Sequence, residues 1–136
     1  MTEFKSKIKT IEWCGNVSRM VDQTLLPERF EYVDIKTGDE MFDAIKTMIV
    51  RGAPAIGVAG AHGISLYALE LQSKNLSREE FVARLKEKAD YIGTSRPTAV
   101  NLMWAVKKQK EVIDNSKSDI SGIVDELIQN GIRLEN

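Results

Sequence analysis

Two short segments of this chain set an arginine just outside a helix-start signal: Arg51-Gly52-Ala53-Pro54 and Arg96-Pro97-Thr98-Ala99. A proline suits the first helical turn, because its missing N–H would have no partner there anyway. The free N–H groups of such a turn point outward and carry partial positive charge. The guanidinium adds a planar fork of donors, and Gly52 lets the backbone come close to a bound group. Together these parts suit a phosphate or a polyhydroxyl ligand. An arginine before a helix is also common as a solvated group or the partner of a surface carboxylate, so spacing alone leaves both readings open.

The remaining chemistry-bearing residues read more plainly. His62 lies in an apolar stretch and reads as a satisfied core imidazole rather than a base. Cys14 is the only cysteine. It has no activating neighbour in sequence and reads as a buried or bystander thiol. One cysteine excludes an internal disulfide framework and a multi-thiolate metal site, and one histidine argues against a His-centred cluster. Gly57, Gly60 and Gly63 form a small-residue stripe that reads as close helix packing; it lacks the strand and spacing of a dinucleotide loop. Asn101 either bonds a backbone group inside the bundle or supports the pocket. Trp104 reads as core rather than as a ligand platform.

The elements that position these residues fall into two parts. Residues 1–36 read as a short antiparallel β meander. Ile8, Ile11, Trp13 and Val17 flank a Gly15-Asn16 turn, Val21, Leu25 and Leu26 lead into the breaker Pro27, and Phe30, Tyr32, Val33 and Ile35 form a β-rich run. Residues 37–136 read as a helical bundle. Thr37-Gly38-Asp39-Glu40 fits a capping box opening a helix with Met41, Phe42, Ile45, Met48 and Ile49 on one face. A second helix runs from about 54 to 72. Ser77-Arg78-Glu79-Glu80, another capping box, opens a third over Phe81, Val82 and Leu85, stopping near Gly93 as a left-handed C′ residue. Thr94-Ser95-Arg96-Pro97 starts a fourth carrying Val100, Met103, Trp104 and Val112. Ser118-Asp119 starts the last, with Ile120, Ile123, Val124, Leu127 and Ile128, ending at Gly131. The fold class is therefore α+β. The second and third helices, roughly 28 and 22 Å long, make an up-down hairpin. The start at Arg96 then falls at the same end as the start at Arg51.

Composition bounds the function classes. Nineteen Lys+Arg against twenty Asp+Glu leave a net charge of −1, without the basic excess that would make nucleic acid the default partner. With 43% apolar and 29% charged residues over 136 positions, the chain is built to fold around a core. Residues 53–69 carry no formal charge, but their glycines, His62 and Ser65 read as a buried helix rather than a membrane span. The polar opening MTEFKSKIKT lacks an apolar signal region, so the expected compartment is the cytoplasm.

Longer motifs narrow the reading. Met48-Ile49-Val50-Arg51-Gly52-Ala53-Pro54-Ala55-Ile56-Gly57-Val58 resembles the signature segment of the methylthioribose-1-phosphate isomerases. Ser95-Arg96-Pro97-Thr98-Ala99-Val100-Asn101-Leu102 resembles their second N-terminal motif. Ile11-Glu12-Trp13 and Val21-Asp22-Gln23-Thr24-Leu25-Leu26-Pro27 fit as well, and the resemblance extends from about residue 8 to 128. The family shares its fold with ribose-1,5-bisphosphate isomerases and with the regulatory subunits of the translation initiation exchange factor. Pro54 favours the methylthioribose branch, the others more often having glycine there.

The resemblance implies conversion of the aldose 5-methylthioribose 1-phosphate to the ketose 5-methylthioribulose 1-phosphate in methionine salvage, with no metal or organic cofactor. It assigns substrate binding to Arg51, Gly52, Ala53 and Arg96, and a homodimer to full-length members. The family's catalytic cysteine and aspartate lie in a C-terminal Rossmann-like domain that these residues do not match, and Cys14 is not that cysteine. The expectation is an N-terminal, substrate-binding portion without catalytic residues and inactive alone. The other readings are a non-catalytic regulatory or interaction domain akin to the translation-factor subunits, and a portion of a ribose-1,5-bisphosphate isomerase.

Overall fold

The computed structural model describes residues 10–135; Ile8 and most of the polar opening lie outside them. Three strands, β1 (Ile11–Cys14), β2 (Val17–Val21) and β3 (Tyr32–Ile35), pair in sequence order as an antiparallel meander. Cys14 pairs with Val17 across a two-residue turn in which Gly15 takes φ +67°, a value open to glycine without a Cβ clash. Val21 closes β2. The segment after it, read as β from sequence, is instead a 3₁₀ turn (Gln23–Leu25) because the Asp22 carboxylate caps the Thr24 N–H at 2.9 Å.

Five helices follow: α1 (Gly38–Lys46), α2 (Ala53–Gln72), α3 (Arg78–Gly93), α4 (Val100–Asn115) and α5 (Ile120–Leu134). The Thr37 box is complete, its hydroxyl accepting from Glu40 N–H while Glu40 accepts from Thr37 N–H. At Ser77 only the forward half forms. α2 is buried almost all round and packs against the other four helices. Met20, Met41, Ile64, Phe81, Leu102 and Leu127, one from each of β2 and α1–α5, meet in the core without solvent exposure. No described helix is long and apolar enough to cross a membrane.

Several local expectations are corrected. α1 stops at Lys46, not near residue 50. Ile49 N–H bonds Ala44 O at 3.0 Å and Met48 N–H bonds Ile45 O at 3.3 Å, a Schellman closure with Met48 at C′ in the left-handed region, φ +68°. Gly93 and Gly131 do not serve as left-handed helix stops. Both are helical, and each sits where a Cβ would crowd a neighbour: Gly93 against Met103 Cε at 3.3 Å, Gly131 against His62 Cδ2 at 3.3 Å. The buried stripe of α4 is Leu102, Ala105, Val106, Gln109 and Ile113. The expected face is the wrong one: Val100, Met103 and Trp104 are exposed at 78%, 41% and 49%, so Trp104 is not core.

Gln109 is the polar member of that stripe. Its amide donates to Ala61 O and Leu127 O, each at 3.1 Å, and its carbonyl accepts from Asn130 at 3.0 Å, which pins α4 to α2 and α5. A buried amide of this kind is tolerated because both ends are satisfied.

Candidate functional site: a two-arginine pocket at one end of the bundle

Each arginine is preceded by a buried anchor. Val50 is buried ahead of Arg51, and Ile49 O accepts from Gln23 N–H at 2.8 Å, tying this segment to the sheet side. Ser95 is buried ahead of Arg96, its hydroxyl donating to Ile92 O at 2.6 Å. Both arginines therefore leave the core at defined points.

The helix start expected at Arg96-Pro97 is displaced. Pro97 lies in a turn closed by Ala99 N–H on Arg96 O at 3.0 Å, and α4 begins at Val100. Proline suits position i+1 of a turn as well as a helix start, and here the turn wins. The amides offered at this corner thus belong to Val100 and its successors. At the other corner, Gly52 takes φ +91° as N-cap and Ala53-Pro54 open α2 as expected.

The two corners lie together. Arg51, Gly52, Ala53 and Arg96 line one cavity of about 440 Å³, with Met48, Ile56, Ala99, Val100 and Asn101. The helix hairpin returns the chain to its starting end, and close approach of α2 and α4 sets the corners side by side. A Cβ on Gly57 would stand 3.1 Å from Asn101 O, so only glycine permits that spacing without a shift. The stripe reading holds also at Gly60, against Leu102, and at Gly63, against Met41 and Ile92.

The electrostatics are one-sided. Neither α2 nor α4 has a side-chain cap, whereas Thr37, Ser77 and Asp119 cap the other three helices. Among the described residues neither Arg51 nor Arg96 forms a salt bridge. Two guanidiniums and two helix N-termini thus converge without a carboxylate on the cavity lining. Such a corner attracts anions. A larger groove of about 720 Å³ between α4 and α5 carries mixed charges, among them Lys108, Glu111, Asp125 and Arg133, and neither pocket arginine.

Sequence reasoning placed Met48 and Val100 on buried helix faces and did not mark Ile56. All three line the cavity, and no local pattern distinguishes them from core positions. Asn101 lines it too.

His62 belongs to the core, as read. Its Nδ1 accepts from Ser18 Oγ–H at 2.7 Å and its Nε2–H donates to Glu135 Oε2 at 3.1 Å, a tautomer assigned from the carboxylate acceptor. Trp13 N–H donates to the same oxygen at 3.0 Å, and the Trp13 ring meets His62 edge-on. Ser18 and His62 are 0% and 1% exposed, so this Ser-His-Glu chain is shut away from any substrate. It joins β1, β2 and α2 to the end of α5. Cys14 is half-buried, and burial first, then the Glu12 charge, raises its thiol pKa, which keeps it protonated and unreactive.

Known proteins share this architecture. The methylthioribose-1-phosphate isomerase of Acaryochloris marina is 44% identical over 118 residues, 87% of this chain and 33% of that protein. The crystal structure of 5-methylthioribose 1-phosphate isomerase from Pyrococcus horikoshii OT3 superposes with a TM-score of 0.86 at 35% identity, covering 94% of this chain and 36% of the other. Translation initiation factor eIF-2B, subunit delta, from A. fulgidus gives 0.77 at 34% identity, covering 95% and 36%. The chain spans about a third of the length of these relatives. Because the match over residues 49–136 takes in most of the chain and both arginine corners, the chain belongs to the Initiation factor 2 subunit family.

Proposed function

We propose that this chain is the substrate-binding portion of an aldose–ketose isomerase that takes 5-methylthioribose 1-phosphate to 5-methylthioribulose 1-phosphate, and that Arg51, Gly52, Ala53 and Arg96 hold the sugar phosphate. The observation that carries this reading is the shared cavity. Two guanidiniums and the uncapped N-termini of α2 and α4 face one space large enough for a pentose phosphate. A phosphate dianion there gains charge-assisted bonds from forked donors and from backbone amides.

The same lining sets a limit. None of its nine residues carries a carboxylate, imidazole or thiol. Opening the sugar and moving hydrogen between C1 and C2 requires groups that give and take protons within hydrogen-bond reach. Binding and orientation therefore reside here, and the proton-moving groups come from a further domain. In this reading residues 1–36 and 37–136 form one domain of a longer two-domain enzyme, a cytoplasmic homodimer without cofactor.

The similarity to the initiation-factor subunit favours a second reading, a non-catalytic interaction domain whose pocket is vestigial. Titration of the 136-residue chain with 5-methylthioribose 1-phosphate, followed by NMR, separates the two. The first reading expects saturable shifts at the Gly52, Ala53 and Val100 amides. It also expects Arg51→Ala and Arg96→Ala each to weaken binding by about tenfold or more, with no ketose formed. No shifts with this ligand would leave the interaction-domain reading in its place.

A further inference from the structure

The link between α1 and α2, residues 47–52, carries Arg51 and has no regular structure of its own. It passes through the left-handed region twice, at Met48 (φ +68°) and Gly52 (φ +91°). A non-glycine residue keeps that conformation only where its surroundings fix it. Most backbone bonds of the link run back to α1 or forward into α2: Thr47 N–H to Asp43 O, Met48 N–H to Ile45 O, Ile49 N–H to Ala44 O, and Ile56 N–H to Gly52 O. These set the link against its own two helices. Among the described residues one backbone bond ties it to a different element, the 2.8 Å bond from Gln23 N–H to Ile49 O. Gln23 is itself braced. It opens the 3₁₀ turn after β2, and the Asp22 carboxylate caps that turn on Thr24 N–H at 2.9 Å. Asp22 N–H bonds Glu31 O at 2.9 Å, which closes the β2–β3 connection around the turn. A braced amide on the sheet side thus holds the carbonyl two residues before Arg51.

We infer that Gln23 is a positioning residue: its backbone N–H pins the Ile49 carbonyl and so fixes the backbone from which Arg51 reaches the ligand that Arg96 also holds. This rests on the sugar-phosphate reading of the cavity. Gln23 is not on the cavity lining, so it acts through Arg51. Arg96 is anchored separately, by the Ser95 hydroxyl on Ile92 O of α3. The two halves of the grip are therefore held independently, and loss of the Gln23 bond reaches only one of them.

Gln23→Pro deletes this N–H at a place where the backbone suits proline. Asp22 is extended, at φ −74° and ψ 103°, as a residue before proline prefers, and the first position of a 3₁₀ turn has a φ that proline takes. The ring also fills the space of the bond, so Ile49 O must draw back. In NMR titration of the 136-residue chain with 5-methylthioribose 1-phosphate, Gln23→Pro should bind about tenfold more weakly, the worth of one charge-assisted bond. Gln23→Ala keeps the N–H and should recover that affinity. Added to Arg51→Ala, Gln23→Pro should cost nothing more, whereas added to Arg96→Ala it should cost its full tenfold. A general folding defect would weaken both arginine variants alike. Gln23→Pro binding as wild type, Gln23→Ala binding as weakly as Gln23→Pro, or an equal further loss in the Arg51→Ala chain overturns the inference and leaves the phosphate reading intact. Where Gln23→Pro melts too low for titration, hydrogen exchange in the wild-type chain decides. Coupling is reciprocal, so saturating ligand should slow exchange at the Gln23 amide by about the same tenfold. Exchange there that ligand does not change overturns the inference. A wild-type chain that does not bind the sugar overturns the phosphate reading and this inference with it.

Discussion

Gly60→Val tests the close approach of α2 and α4 on which the pocket depends. A Cβ at Gly60 would stand 2.5 Å from Leu102 Cδ1 and 4.0 Å from Ala105 Cβ. Carbon pairs rest at about 3.5–4.0 Å, so the leucine end must retreat by about 1 Å. Leu102 is fully buried, so it has no solvent to retreat into. Valine adds two further methyls to the same gap. Overpacking of this kind costs about 1–3 kcal/mol, and the helix propensity gained over glycine returns only about 0.5 kcal/mol. With an unfolding entropy of about 2.1 cal/mol/K per residue, each kcal/mol shifts the melting temperature of a chain this size by about 3–4 °C. The net cost of about 0.5–2.5 kcal/mol gives an expected fall of about 2–9 °C, read by circular dichroism and cross-checked by urea denaturation. Leu102→Ala alone should cost about 2–5 kcal/mol. Combined with Gly60→Val it should cost less than the sum by about 1 kcal/mol or more, because the valine fills the vacated space. An unchanged melting temperature for Gly60→Val, or strict additivity of the pair, would refute the contact and the helix spacing built on it.

Two other perturbations probe independent parts of the fold. Thr37→Ala breaks the complete capping box of α1 and should cost about 1 kcal/mol, a fall of about 3–4 °C; no change on melting would mean the box contributes nothing to stability. Glu126 accepts a 2.6 Å bond from the Ser118 hydroxyl, and that bond first of all holds its carboxyl below the ordinary value of 4.5. Because the folded-state pKa is depressed, this stabilisation is present above about pH 4.5 and is lost as pH falls through the folded value. Glu126→Gln should flatten the acid limb of a stability–pH curve, and superimposable limbs for the two proteins would rule the contribution out.

What could be read without coordinates was whatever nearest neighbours along the chain decide. The Thr37 box, the Gly15 turn and the Gly52-Ala53-Pro54 start concern backbone groups within a few residues, so residue types reveal them. The three-strand meander and the five helices follow from apolar period and from these punctuation marks. The failures share one cause. α4 carries two competing apolar stripes, Val100/Met103/Trp104 and Leu102/Ala105/Val106/Ile113, and periodicity cannot rank them. Gly57 and Gly60 on α2 decide which face meets a neighbour. Gly93 and Gly131 look like helix stops from sequence but answer to Met103 and His62, side chains on other helices.

The site divides in the same way. Sequence by itself determined that Arg51 and Arg96 each stand at a structural corner beside backbone donors, since capping and turn chemistry are short-ranged. Tertiary structure alone decided that the corners share a cavity, that Pro97 closes a turn rather than opening a helix, and that Met48 lines that cavity instead of the core. Those outcomes depend on how closely α2 and α4 can pack, which is a property of side-chain shape across the bundle and leaves no trace in local spacing.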